Sequence, residues 1–371
     1  MVRAAERSPY RRALPALVPV LLLVVALLVG TPTAAGAAPS HRGGGGGTLV
    51  YTGELTPGQL GLVMASGVDR HEVQTSPGAA AGSVLVEVVL GQGTADALVA
   101  QGVPLEPRVS AARTSATTGG VFQPWSGPGG LRDAFTAMAA ANPTLVKQQV
   151  IGASVNGQEI LAFKVTVDAP TVTDGSRPAV LYVSAQHARE WITPEMTRRL
   201  MQHVLDGYTT GDAQIRQLLQ DTELWFVPVA NPDGYDYTFT TDRLWRKNLR
   251  DNDGDGQITF ADGVDLNRNF PTKWGYDEEG SSSLPESETY RGTDPGSEPE
   301  TQALDDLMGD IGFEFMINYH SAAELLLYGT GWQVATPTPD DVLYEVMAGD
   351  DRRPAVPGYD PDISGVNASV P

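Results

Sequence analysis

Residues 179–185 (AVLYVSA) form a nearly unbroken apolar run, and this run limits the fold more than any other feature. A strand that is apolar on both alternating sides must be covered on both faces, as in a mostly parallel sheet with helices above and below. Residues 161–167 and 224–229 read as two further strands, and 313–319 (FEFMINY) alternates, with Phe313, Phe315, Ile317 and Tyr319 on one side. Residues 131–141 read as a helix. Thr193-Pro194-Glu195 reads as the start of another, with Thr as cap, Pro in the first turn and Glu at the positive end. Met196, Leu200, Met201, Val204 and Leu205 fall on its apolar face. From residue 121 onward the chain therefore reads as α/β: a mixed, largely parallel sheet flanked by helices.

Ahead of it, residues 48–107 carry a different pattern. TLVYTGE, RHEVQ and SVLVEVVLG read as strands, TPGQLGLVMASG and TADALVAQG as short helices, and VPLEP as a last extended segment. Strand–helix–strand–strand–helix–strand is the order of a small α+β split βαβ domain. It shows no ionisable cluster of its own. Residues 38–47, Gly-rich, and 108–120, rich in Ser, Thr and Gly, read as linkers. Residues 1–37 combine Arg3, Arg7, Arg11 and Arg12, an apolar run at 18–29 and the small residues Ala35-Gly36-Ala37. That is the layout of a secretory signal peptide, and the apolar run is shorter than the roughly 18 residues that span a bilayer. The expectation is a secreted, extracellular protein with no stable membrane anchor.

The 371 residues hold 25 Lys+Arg against 45 Asp+Glu, a formal net charge of -20. Nucleic acid is excluded as a general partner, because phosphate binding needs clustered cations. There is no cysteine, so any metal site must use His, Asp or Glu, and only five histidines are present.

The polar residues of interest follow the apolar strands. His187 follows the first, Asn231-Pro232-Asp233-Gly234 the second and His320 the third. Open α/β sheets place ligands outside the carboxyl ends of their strands. His187 and Glu190 stand three residues apart, so both can reach one small cation; a hydrogen-bonded surface pair fits the same spacing. His320 ends a strand and fits either a ligand or a satisfied core residue. Together they favour a site of two histidines and one glutamate, with an open position for water.

Four segments then carry a resemblance: QHAREWITPE (186–195), DRLWRKN (242–248), GVDLNRNF (263–270) and NYHS (318–321). In order and spacing they resemble the motifs of zinc metallocarboxypeptidases of the carboxypeptidase A type, in a secreted, bacterial-like form. The resemblance covers residues 121–359, and the unit at 48–107 resembles the family's propeptide. It implies that His187, Glu190 and His320 bind zinc and that Arg246 steadies the scissile carbonyl as it becomes an oxyanion. It also implies that Asn267 and Arg268 hold the terminal carboxylate of a peptide or protein, with Arg189 assisting along the substrate path. Guanidinium groups suit that task, since they pair with carboxylates through two charge-assisted hydrogen bonds.

A second metal pattern lies between these motifs. Asp251, Asp253 and Asp255 occupy positions 1, 3 and 5 of a calcium-loop template, Gly256 position 6, Gln257 and Thr259 positions 7 and 9, and Asp262 position 12. Asp262 stands where Glu is usual, and a solvated acidic loop fits the same residues. If calcium binds, its expected role is to hold the Arg246 and Asn267 segments in register.

The resemblance also sets an expectation of loss. The family's general-base Glu and a substrate-clamping Tyr lie farther past the third ligand than residues 321–371 extend, and the acids in that stretch match no base position. The chain is therefore expected to be C-terminally truncated, with the last sheet strands missing, an unpaired edge open to association, and impaired hydrolysis of C-terminal peptide bonds. The alternative is a non-catalytic zinc- and calcium-binding protein that recognises peptide C-termini.

Overall fold

The structure, a computed structural model, describes residues 47–108, 120–321, 323–332, 336–350 and 352–363. Residues 1–37, expected to be an export signal, and most of the two expected linkers lie outside the described residues.

The N-terminal unit consists of β1 (Thr48–Leu55), α1 (Pro57–Ala65), β2 (Gln74–Pro77), β3 (Val84–Gly91), α2 (Gln92–Ala100) and β4 (Glu106–Pro107). Its sheet has the order β2-β3-β1-β4, with β1 antiparallel to both neighbours. Thr56 caps α1: its hydroxyl accepts from the Gln59 amide, and the Gln59 side chain accepts from the Thr56 amide. Leu55, Val63, Val86, Val88 and Leu90 fill a core separate from that of the rest.

One expected strand is different. Within RHEVQ, Arg70–Glu72 form a turn of 3-10 helix, because the Asp69 side chain accepts the His71 amide and caps it. The strand starts only at Gln74.

The larger part is built on a five-stranded sheet of β5 (Val146–Ala153), β6 (Glu159–Val165), β7 (Ala179–Val183), β8 (Glu223–Val227) and β9 (Phe315–Asn318), in the order β5-β6-β8-β7-β9. Pairing is parallel across β8-β7-β9 and antiparallel across β5-β6-β8. Alternation explains the apolar runs. Leu161, Phe163, Leu224 and Phe226 face one core with α3 (Leu131–Ala141), α4 (Ile192–Thr210) and α5 (Ala213–Asp221). Ala162, Leu181, Val183, Trp225 and Val227 face the other, under a helix labelled α7 (Pro299–Ile311); α6 (Pro232–Thr240) precedes it in the chain.

The α4 start differs from expectation. The helix begins at Ile192, and Thr193 lies inside its first turn, donating to the Glu190 carbonyl and accepting from the Ala185 amide. Met196 is 49% exposed instead of buried. The strand expected at 313–319 is shorter and open. Among the described residues nothing pairs with the outer side of β9, and Phe315, Met316 and Ile317 are 36%, 40% and 42% exposed. Among the described residues, no helix is long and apolar enough to cross a membrane.

Candidate metal centre and its arginine cluster

The carboxyl end of β7 turns sharply. Ala185 has φ +50°, a left-handed conformation rarely held by a residue with a side chain, and the chain then enters Gln186-His187. Three bonds brace this turn. The Ala188 amide donates to the Arg246 carbonyl at 2.9 Å, and the Asn231 side chain donates to the carbonyls of Gln186 and Lys247 at 3.1 and 3.0 Å. Asn231 also caps α6, with Pro232 in its first turn, so the NPDG signal serves as a bracket beside the site.

His187, Glu190 and His320 converge as expected, with one ligand atom from each lying within 4.8 Å of the others. His187 Nδ1 is 2.8 Å from Glu190 Oε1 and 3.1 Å from His320 Nδ1, and His320 Nδ1 is 3.3 Å from Glu190 Oε2. Glu190 Oε2 is buried and has no hydrogen-bond partner. A proton can bridge these atoms only in pairs, whereas one cation can satisfy all three at once. Two imidazole nitrogens and a carboxylate oxygen are a donor set that zinc accepts. The residues fit the metal.

Asp265 completes the arrangement, and sequence reading assigned it no role. Fully buried, it accepts from the His187 ring at Nε2 (3.2 Å), which leaves Nδ1 as the metal-facing nitrogen. Its other oxygen takes Arg246 Nε and Nη2 at 3.1 and 2.9 Å, and its first oxygen also accepts the Asn267 amide. Burial disfavours its charge, but Arg246, His187 and Arg268 outweigh that and hold the carboxyl far below the usual range. A sequence signal existed: Asp two residues before Asn267 caps the 3-10 turn Leu266–Arg268.

Arg246, expected to steady the oxyanion, and the three expected substrate residues, Arg189, Asn267 and Arg268, gather beside the triad. Arg246 is 1% exposed. Asn267 Nδ2 lies 3.4 Å from His320 Nε2. What meets the arginines is a surprise: Asp69 and Glu72 of the N-terminal unit, which was expected to carry no ionisable cluster. Asp69 Oδ2 accepts from Arg246 Nη2 and Arg268 Nη2, each at 2.8 Å, and Glu72 pairs with both Arg189 and Arg246. Asp69 is buried, which opposes its charge, yet Arg268 and Arg246 hold its carboxyl well below the ordinary value. On the far side, Arg189 is fixed by Glu288 at 2.6 Å and by the Leu244 carbonyl at 3.0 Å. No local pattern marks Asp69, Glu72 or Glu288, because their partners lie far along the chain.

The acidic loop is only partly as expected. Asp251, Asp253 and Asp255 bring carboxylates within 4.8 Å of one another. Asp262 does not join them: its oxygens accept the amides of Asn252 and Thr259 and the Thr259 hydroxyl, each at 2.8 Å. The Gln257 side chain reaches Asp255. Register between the Arg246 and Asn267 segments is kept by Asn248, which exchanges two bonds with Val264 (amide to carbonyl 3.0 Å, side-chain oxygen to amide 2.8 Å).

Fold and site thus define an α/β protein with a His-Glu-His divalent-metal centre and an arginine cluster that already holds carboxylates, at the carboxyl ends of its central strands. The sequence profile of the zinc carboxypeptidase family, peptidase M14, matches residues 131–351, and the chain belongs to that family. It is 38% identical over 178 residues to a metallocarboxypeptidase A-like protein of Trichophyton verrucosum, covering 47% of this chain and 40% of that one. It is 33% identical over 214 residues to carboxypeptidase B of Rattus norvegicus, covering 57% and 49%. The matches thus span less than half the length of these curated relatives. The fold is similar to the crystal structure of carboxypeptidase A from Helicoverpa armigera (TM-score 0.61, 24% identity, covering 86% of this chain and 81% of that one). It is likewise similar to that of thrombin-activatable fibrinolysis inhibitor (TM-score 0.58, 23% identity, covering 81% and 78%).

Proposed function

We propose that the protein is a secreted zinc metallocarboxypeptidase acting on the C-termini of peptides or proteins, held latent by its N-terminal unit. The observation that carries this is the Asp69 carboxylate, clasped by Arg246 and Arg268 next to the triad, where a substrate's terminal carboxylate would bind.

His187, Glu190 and His320 would hold the zinc, which supplies a water with a pKa of about 7 and polarises a carbonyl. Arg268, with Asn267, grips the terminal carboxylate. Arg246, kept charged by Asp265, donates to the scissile oxygen as charge develops there; removing one such donor costs about 10²–10³ in rate. Arg189 lines the substrate path. Asp265 orients both His187 and Arg246, so metal and oxyanion groups share one anchor.

A second reading, a zinc protein that binds peptide ends without cutting them, is favoured by one feature. The carboxylates in contact with the triad or its arginines (Glu190, Asp265, Asp69, Glu72 and Glu288) are each held by a cation or imidazole. A general base must reach the water directly or through one further water, and these are committed elsewhere. One experiment separates the readings: zinc-loaded full chain carrying Asp69→Ala/Glu72→Ala, so that the arginines are released, is given matched peptides with free and amidated C-termini, and both binding and cleavage are followed. Cleavage of the free-ended peptide alone, abolished by chelation, supports the enzyme; binding without cleavage supports the alternative; neither binding nor cleavage sinks both.

We propose further that Asp251, Asp253 and Asp255 bind calcium as a stabilising ion. Calcium binding only to the folded chain would raise its stability by about 2.7 kcal/mol at 100 times the dissociation constant. The melting temperature should rise with calcium and stop responding in Asp253→Ala/Asp255→Ala protein.

A further inference from the structure

We infer that Ser287 and Thr289 form a carbonyl cradle which, once residues 67–72 leave the arginines, takes a backbone carbonyl of the bound peptide upstream of its terminal carboxylate. The inference rests on the peptide-end reading above and extends it from the last residue to the chain behind it.

Three donors converge on a single oxygen. The Gly67 carbonyl accepts from the Ser287 hydroxyl at 2.9 Å, the Thr289 hydroxyl at 3.0 Å and the Thr289 amide at 3.2 Å. A carbonyl oxygen has two lone pairs, so this site offers more donors than one acceptor requires. Both hydroxyls reach across to the N-terminal unit, although they also lie 3.1 Å from each other and Ser287 Oγ accepts the Thr289 amide at 3.1 Å. With residues 67–72 gone, the two hydroxyls can still bond each other, but one hydroxyl proton of the pair loses its acceptor and faces whatever chain replaces Gly67.

The contact reads main chain and not side chain. Gly67 has φ +86°, and a Cβ added there would stand 2.1 Å from Ser287 Oγ. The surface is therefore pressed against bare backbone, and only glycine fits this approach. The intervening residue, Glu288, pairs with Arg189 at 2.6 Å. The cradle and the carboxylate that holds Arg189 are thus set on one short segment.

The spacing fits a substrate path. Gly67 lies two residues from Asp69, whose carboxylate sits on Arg246 and Arg268. At 3.8 Å per residue, the two Cα atoms are within roughly 7.6 Å. A peptide whose terminal carboxylate takes the place of Asp69 carries further carbonyls at that range. The cradle would take one of them, giving longer peptides an affinity that a two-residue ligand cannot gain.

The test uses zinc-loaded full chain carrying Asp69→Ala/Glu72→Ala, so that the arginines are accessible, together with Gly67→Ala, whose Cβ would clash with Ser287 and so keeps the cradle clear. The probes are a dipeptide with a free N-terminus, whose one peptide carbonyl is the scissile one, and a likewise unblocked hexapeptide with the same two C-terminal residues, all upstream positions being glycine. Binding is read as Kd where the peptide stays intact and as KM where it is cut. Two hydrogen bonds of ordinary net strength make the hexapeptide about thirtyfold tighter. Adding Ser287→Ala/Thr289→Val should bring the hexapeptide-to-dipeptide ratio near one, while Thr289→Ser alone should preserve it. A length advantage that survives removal of both hydroxyls overturns the cradle, as does equal affinity of the two peptides before the substitutions. Absence of binding by either peptide overturns the peptide-end reading and the cradle together.

Discussion

Replacing Asp69 and Glu72 by alanine should unlock the arginine cluster. Asp69 gives two charge-assisted bonds of 2.8 Å, and Glu72 pairs with Arg189 and Arg246. Truncating one partner of a buried, hydrogen-bonded charge pair costs about 2–5 kcal/mol. The lower end applies here, because Arg246 keeps Asp265 and Arg189 keeps Glu288. Two such losses come to about 4 kcal/mol, a factor of about 10³ in the ratio of closed to open chain. The remaining contacts resist opening: Gly67 on Ser287 and Thr289, the Thr48 amide on Asp242, and Gly91 against the Phe260 ring. A ligand that needs the open form binds with its intrinsic Kd divided by the open fraction. Calorimetric titration with a free-ended peptide should therefore show affinity rising by up to about 10³ in the double variant, with no binding of the amidated control. Equal affinity in wild type and a double variant of unchanged circular dichroism would refute the view that these carboxylates occupy the substrate position.

The other expectations concern the metal, its anchor and a remote carboxylate. Elemental analysis of His320→Ala protein should show zinc largely lost; wild-type stoichiometry would remove the triad from consideration. Asp265→Asn should weaken zinc about 10–100-fold in a competition titration, since the His187 ring loses its orienting acceptor, and unchanged affinity would count against that role. Glu300 is buried at the start of α7, and burial, aided by Glu298, outweighs its hydrogen bonds and pushes its carboxyl up to about 7. The folded chain then holds a proton that the unfolded chain has lost, so stability from this group is full below about pH 4.5 and declines as pH rises to about 7, by on the order of 3 kcal/mol. Denaturant titrations of Glu300→Gln across that window should show this decline removed; an unaltered pH profile would assign it to other groups.

Much of the fold was legible because its cause is local. Apolar side chains on both faces of 179–185 and 224–229 require a covered strand wherever the chain places it, and Thr56-Pro57 starts a helix through its own capping bonds. The His187-Glu190 pair was legible for the same reason, since three residues on a turn place both side chains on one cation. Other readings failed where a neighbour outweighed the local pattern. Arg70–Glu72 became a turn because Asp69 caps it, and Met196 lies on the apolar stripe of α4 but meets no core.

What only the tertiary structure decided is the state of the site. Asp69 and Glu72 are unremarkable acids in sequence, and Asp69 comes to hold Arg246 and Arg268 only when folding places it between them, nearly two hundred residues away. Asp265 likewise becomes the common anchor of His187 and Arg246 only when the segments that carry them converge on it. Residue type and short spacing determine which groups can bind a metal or a carboxylate. Which of them meet, and which charges are already satisfied, depends on long-range packing, because Coulomb and hydrogen-bond energies are set by distance in space and not by separation along the chain.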